Sequence, residues 1–235
     1  MIPKTIHYCW FGRGKLTRKM EKCIASWRRF CPDYEVKEWN EDNFDIEKYP
    51  YTKYCYENKK WAFLSDFCRL IIIYDQGGIY FDTDVEVIQS FDKLLKADAF
   101  FGFENDEFIA TGLGFGAIKG HKTIRLMIDE YLNMAPNDDG AYELLPCPRL
   151  NTIALSKFGV TINGTGQRLG GVVILPREYM NPYDDATGVL KKTKRTVSIH
   201  WYSKSWISKR SVIRSKLTKP FHRLFGVDCF KRFRI

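Results

Sequence analysis

No run of about 18 apolar residues occurs in the 235-residue chain, so no membrane-spanning helix is expected. The N-terminal stretch MIPKTIHYCWFGRGK lacks an apolar h-region, and no signal peptide is expected. The seven cysteines include no CxxC pair and no Cys/His cluster at zinc spacing. An odd number without framework spacing points to reduced thiols and a cytosolic setting. Internal repeats, low-complexity tracts and clear interdomain linkers are also missing. What remains is a chain long enough to bury a sizeable core, rich in aromatics at 15 %, and suited to one domain.

Its charge is unevenly placed. The net +9 resolves into a mildly acidic body, residues 1–190 at −4, and a basic end, residues 191–235 at +13. Such asymmetry points to an anionic partner for the end: nucleic acid or a membrane surface.

Patterning predicts alternating strands and helices. TIHYCWF reads as a first strand, Thr17 to Arg29 as a basic amphipathic helix, and YEVKEW as a second strand. Residues 43–56 suggest one or two short helices, and 58–76 a long one stopped by Gly77-Gly78. IYFDTDVEVI reads as one strand, AFFGFE as another, and FIATGLGFGAI as a glycine-interrupted strand pair beside something that needs close approach. Helices at about 121–133 and 147–157, and short strands near 159–162, 172–175 and 197–201, complete an α/β sheet flanked by helices.

The stretch DQGGIYFDTDVEV carries the chemistry. Period 2 predicts Tyr80, Asp82, Asp84 and Glu86 on one strand face, with Phe81, Val85 and Val87 on the other. Two hard-oxygen ligands at this spacing suit Mg²⁺ or Mn²⁺; a solvated, charge-guarded face is the plainer alternative. Asp66 and Arg69, three apart on the preceding helix, share a face. They form either a structural ion pair or, once the chain turns at the glycines, a ring with Asp82 and Asp84.

The segment SDFCRLIIIYDQGGIYFDTDVEV resembles the signature of glycosyltransferase family 32, and IPKTIHYCWFG, CIASWRRFCPDYEVKEWNEDNFD, FFGFEN, GAIKGHK and IHWYSKSW resemble its other blocks, in the family's order. That family has a DXD sugar-binding region similar to those of yeast initiating mannosyltransferases and, more distantly, clostridial glucosylating toxins. The resemblance covers most of residues 2–206. It implies a GT-A type fold, a Rossmann-like nucleotide-binding sheet fused to an acceptor-binding part in one domain (1–206), followed by a basic amphipathic tail (207–235).

It further implies a retaining hexosyltransferase that uses a nucleotide sugar, UDP-linked in the expected case, and Mn²⁺ or Mg²⁺. Trp10 would stack on the base, or else belong to the core. Asp66 and Arg69 would bind sugar hydroxyls, and Tyr80 would pack near the ribose or sugar. Asp82 would bridge ribose and metal, Asp84 would bind the metal, and His200 would add a ligand or serve only structurally. Ser205 and Trp206 would form a lid over the donor, with Trp206 alternatively a packing residue. No nucleophile stands out among Glu104, Asp106 and Glu107, in keeping with front-face substitution.

Two rivals remain. A haloacid-dehalogenase-like phosphatase also uses DxD, but on its first strand. A nucleic-acid binder would use the basic end, yet leave the acidic site without a purpose, so nucleic acid is not the expected partner. In the tail, Ile213, Leu217, Phe221, Leu224 and Phe225 recur at helical spacing, with Pro220 opening a second helix. Lys209, Arg210, Arg214, Lys216 and Arg223 would flank this stripe and hold the enzyme on an anionic membrane. Docking of the tail on the body is the alternative. The expected setting is cytoplasmic and peripheral, on the inner face of the membrane, with a glycan acceptor that is lipid-linked and a role in capsule or lipopolysaccharide synthesis.

Overall fold

The computed structural model describes residues 1–203, 209–227 and 229. The chain starts with β1 (Thr5–Cys9), whose β-branched and aromatic residues suit a buried strand. Thr17 caps α1 (Arg18–Phe30) through its side-chain oxygen, which accepts from the Met20 N–H. There follow β2 (Glu35–Trp39), a 3₁₀ turn at Ile46–Lys48, α2 (Pro50–Glu57) and α3 (Trp61–Gln76). Next come β3 (Gly78–Tyr80), β4 (Val85–Val87), β5 (Ala99–Gly102), β6 (Phe115–Ala117), α4 (Lys122–Leu132) and α5 (Cys147–Phe158). The last elements are β7 (Gln167–Leu169), β8 (Val172–Leu175), β9 (Tyr183–Asp184), β10 (Val189–Leu190), β11 (Ser198–His200) and α6 (Lys209–Phe225).

Seven strands form one sheet in the order β2-β1-β3-β6-β5-β8-β7. β2, β1, β3, β5 and β8 run one way, while β6 and β7 oppose them. This large, mainly parallel sheet flanked by helices is the α/β class expected from the sequence. Alternation along the strands feeds two cores. Phe101 and Phe115 pack with Phe67 and Ile73 of α3 and with Ile124 of α4 on one face. Ile6, Tyr8 and Phe100 pack with Ile24 and Trp27 of α1 on the other. Trp27 is fully buried, and its indole N–H donates to the Val85 carbonyl at 2.7 Å. Through that bond α1 holds the short β4–β11 pair against the body.

Four expectations need correction. IYFDTDVEVI is not one strand. β3 ends at Tyr80, a turn closed by the Val85 N–H on the Asp82 carbonyl (3.0 Å) follows, and β4 joins a different sheet. Aspartates are poor strand formers, so the break falls on them. FIATGLGFGAI gives a 3₁₀ turn at Thr111–Leu113 and one strand, β6, not a strand pair. Residues 159–162 are not a strand, because the Gln167 amide takes both the N–H and the carbonyl of Thr161.

Finally, Pro220 does not open a second helix, for α6 runs through it. Lys219 binds the Tyr183 hydroxyl (2.7 Å) and Asp185 (3.1 Å), and Arg223 donates to the Thr187 carbonyl (3.1 Å). These contacts hold both sides of the proline on the β9–β10 hairpin, which offsets the one helical bond that proline removes. Arg223 thus bonds the hairpin while remaining exposed. Ile213, Leu217, Phe221, Leu224 and Phe225 stay 50–75 % exposed. The side chains of Lys209, Arg210 and Lys216, and the expected boundary at 206–207, lie outside the described residues.

Candidate active site

The site is built on the turn from α3 to β3. Gly77 (φ +69°) and Gly78 (φ +108°) make that turn in a region L side chains avoid. A Cβ at Gly78 would come within 2.7 Å of the Thr5 carbonyl. His7, buried on β1, fixes the same corner: its Nε2 lies 3.0 Å from the Gly77 carbonyl, and its Nδ1 accepts from the Trp39 indole at 3.0 Å. Burial holds the His7 pKa down at about 4, only partly opposed by the Gly77 bond. The ring is therefore neutral, with the proton on Nε2.

The turn brings Arg69 of α3 to Asp82. The guanidinium is 2 % exposed and bonds both Asp66 (2.8 Å) and Asp82 (2.9 Å). Its Nε donates to the Ser65 carbonyl, and Thr111 and Cys147 lie beside its other nitrogen at 3.4 and 3.8 Å. Its face rests on the Tyr80 ring, 4.8 Å from the centroid. Tyr80 is thus a buried support for Arg69 and does not line the cavity, contrary to its expected place near ribose or sugar.

Asp84 is held from the far end of the chain. Antiparallel pairing sets His200 opposite Val85, and the His200 Nε2 lies 3.1 Å from Asp84. The Ser203 N–H donates to the same carboxylate at 2.6 Å. Burial alone would raise the Asp84 pKa, but His200 and the Ser203 bonds outweigh it and hold the group well below the usual range. Burial lowers the His200 pKa, and Asp84 more than restores it, so the net shift is upward. Asp82 is pushed up to about 6, chiefly by burial and further by Asp84, against the pull of Arg69.

Asp66, Arg69, Asp82, Asp84, His200 and Trp10 all line one cavity of about 490 Å³. The sequence-predicted ring and Trp10 are therefore brought together. Trp10 is partly exposed, and its indole N–H donates to the Gly14 carbonyl at 2.6 Å. Ser205 and Trp206, the expected lid, lie outside the described residues. Glu104 sits behind the wall, accepting from the Tyr202 hydroxyl at 3.1 Å.

Four lining or bracing residues were not singled out from the sequence: Trp61, Thr111, Cys147 and Tyr202. The glycine spacing of ATGLG was the one usable signal, since a Cβ at Gly112 would fall 2.6 Å from an Asp82 oxygen. Tyr202 takes a left-handed backbone (φ +47°), and its hydroxyl is tied to Asn181 and Glu104, which fixes its ring beside His200.

Asp82, Asp84 and His200 each present one ligand atom within 4.8 Å of the others. Two carboxylates and an imidazole suit Mn²⁺, and the carboxylates suit Mg²⁺. Asp84 adds to the burial that keeps Asp82 hard to ionise, and a divalent cation between the two carboxylates would offset that repulsion. The residues fit such an ion.

Residues 17–101 match the family model described as "Glycosyltransferase sugar-binding region containing DXD motif". Asp82-Thr83-Asp84 is a DXD within the matched residues. A stretch of 132 residues is 31 % identical to inositol phosphoceramide mannosyltransferase 3 of Schizosaccharomyces pombe, covering 51 % of this chain and 34 % of that protein. The matched part spans about a third of that relative's length. Among solved structures, the PaToxG glycosyltransferase aligns over 67 % of this chain and 70 % of its own, at 19 % identity and a TM-score of 0.49. A glycosyltransferase involved in glycosylation of the major capsid of PBCV-1 aligns over 91 % and 98 %, at 12 % identity and a TM-score of 0.49.

Proposed function

We propose that the protein is a metal-dependent, retaining glycosyltransferase that moves a hexose or N-acetylhexosamine from a UDP-sugar to a glycan acceptor in bacterial surface polysaccharide synthesis. One observation carries this reading: Asp66, Arg69, Asp82, Asp84 and His200 converge in one cavity that Trp10 also lines. In this reading Trp10 stacks on the base, worth roughly 1–3 kcal/mol. Asp66 and the Arg69–Asp82 pair orient the sugar by its hydroxyls. Asp82, Asp84 and His200 hold Mn²⁺ or Mg²⁺, which neutralises charge on the diphosphate leaving group.

The bond from the anomeric carbon to the diphosphate oxygen breaks, and one to the acceptor oxygen forms. The acceptor's proton passes to the departing diphosphate. Retention by front-face substitution is favoured because the carboxylates lining the cavity are engaged. Asp66 and Asp82 bind Arg69, while Asp84 binds His200 and the Ser203 N–H. None is left to attack as a nucleophile. The phosphatase rival is weaker, since here the motif follows the third strand of the sheet and its first aspartate is paired with arginine.

A peripheral membrane position belongs to this reading. The apolar row of α6 stays exposed although the helix is docked by Lys219 and Arg223, and the chain beyond residue 190 is strongly cationic. An anionic bilayer complements both features. Among the described residues no helix is long and apolar enough to cross a membrane.

The catalytic reading is tested by a nucleotide-sugar hydrolysis screen with Mn²⁺. Chelation should abolish turnover, and Asp84→Asn should lower it at least about 100-fold. Near-parental turnover in the variant would falsify the assigned site.

A further inference from the structure

A second cleft, of about 450 Å³, lies between the β9–β10 hairpin, the 3₁₀ turn at Arg177–Tyr179 and α6. Arg177, Lys191 and Arg223 bring three cations to it, and Glu178 and Asp184 bring two carboxylates. The carboxylates are already engaged. Asp184 accepts from the Thr187 N–H (2.8 Å) and hydroxyl (2.9 Å) and lies 3.5 Å from Arg177, while Glu178 lies 3.7 Å from Arg195. Arg223 donates to a neutral carbonyl, that of Thr187. Lys191 makes no ion pair among the described residues. Two positive charges therefore meet in the cleft without a carboxylate of their own.

Asn181 forms part of the same lining and is 1 % exposed. Its amide nitrogen donates to the Glu104 carbonyl and the Tyr202 hydroxyl, both at 2.8 Å. Its Oδ1 is buried and accepts nothing. Tyr202 in turn lines the donor cavity. Asn181 and Tyr202 thus stand between the two spaces, with an unused acceptor atom in the partition.

We infer that this cleft is the phosphate-recognising part of the acceptor site, and that the acceptor carries a phosphate ester. The inference rests on the glycosyltransferase reading and deepens it. Arg177 and Arg223 supply planar guanidinium donors and Lys191 a point charge, the combination that recognises phosphate oxygens. Asn181, which lines the cleft and donates to Tyr202, links the cleft to the donor side of the partition. A purely structural role explains Arg177, which also donates to the Asn181 carbonyl at 3.1 Å, but leaves the Lys191 charge without a partner in the cleft. Because Arg223 belongs to α6, the helix with the exposed apolar row also completes the cleft. A phosphate at a bilayer surface and one on a soluble glycan share the required chemistry.

The test is calorimetric titration of the full chain, pre-saturated with uridine diphosphate and Mn²⁺ so that the donor cavity is occupied. Glucose 1-phosphate and monomeric dihexanoyl phosphatidic acid are the two probes. Saturable, salt-sensitive binding of at least one is expected. Lys191→Ala/Arg223→Ala should weaken it at least about tenfold, and Lys191→Arg/Arg223→Lys should restore it. At least tenfold preference for the lipid assigns a lipid phosphate, and a smaller difference a soluble phosphorylated acceptor. Binding of neither probe, or unchanged binding in the double alanine variant, overturns the inference. The first titration separates the two readings: absence of nucleotide binding defeats the donor-site assignment, whereas intact nucleotide binding without probe binding defeats only the cleft.

Discussion

The cavity around Arg69 and the α6 surface use the same residue types to opposite ends. Arg69 is 2 % exposed and wedged between two carboxylates. Arg223 is exposed and bonds one backbone carbonyl. The first charge has no water to fall back on, so its partners are indispensable; the second keeps its solvent and contributes modestly. Apolar residues are inverted in the same way. Phe67, Phe101 and Phe115 are fully buried around the cavity's supports, whereas Leu217 and Leu224 are 68 % and 75 % exposed. The cavity is a rigid charge-bearing frame, and the α6 surface is a face left open.

The largest expected effect breaks the frame. Arg69→Met keeps most of the volume but strands Asp66 and Asp82, and should destabilise the fold by about 3–5 kcal/mol. Urea unfolding checks this. A loss below about 1 kcal/mol would put Arg69 in the same class as Arg223 and erase the contrast.

The next effect sharpens it through pH. His7 has a folded pKa of about 4 against about 6.5 unfolded. Above pH 6.5 both states are neutral and nothing is lost. Between pH 6.5 and 4 only the unfolded state takes the proton, so His7 costs roughly 3 kcal/mol of stability as the pH falls. Asp82, raised to about 6, works the other way over much of this window, because the folded state takes its proton first. The stability difference between the parent and His7→Gln isolates the histidine, and that difference should shift against the parent on acidification. A pH-independent difference would place water at the corner.

The smallest effect on stability is expected at the open face. Leu217→Glu and Leu224→Glu should each change unfolding free energy by no more than about 0.5 kcal/mol. They should still weaken co-sedimentation with phosphatidylserine-containing vesicles at least about tenfold, as charge enters the apolar row. Unaltered vesicle binding, or parental protein that ignores the vesicles at physiological salt, defeats the membrane reading.

Much of the fold was legible because local chemistry agreed with it. Thr17 starts α1 and Gly77-Gly78 end α3, each for a reason carried by the residue itself. The Asp66–Arg69 spacing put both on one helical face, and the glycine turn delivered them to Asp82. Period 2 failed across Phe81–Asp84 because two aspartates end the ladder there, and it misplaced Tyr80 in the site. A strand was read at 159–162 because a side-chain amide was not foreseen as the partner of Thr161.

By itself, then, the sequence determined the helix ends, the buried strand segments, the DXD and the asymmetry of charge, since each depends on residues within a turn or two. Only the tertiary structure decided that His200 meets Asp84 across 116 positions, that Cys147 and Thr111 brace Arg69, and that α6 docks by its cations with its apolar row outward. Those arrangements depend on strand register, on the burial of charge and on which face of a helix finds a partner. None is a property of neighbouring residues: register is fixed by pairing between distant segments, and the cost of a buried charge exists only once the chain has closed around it.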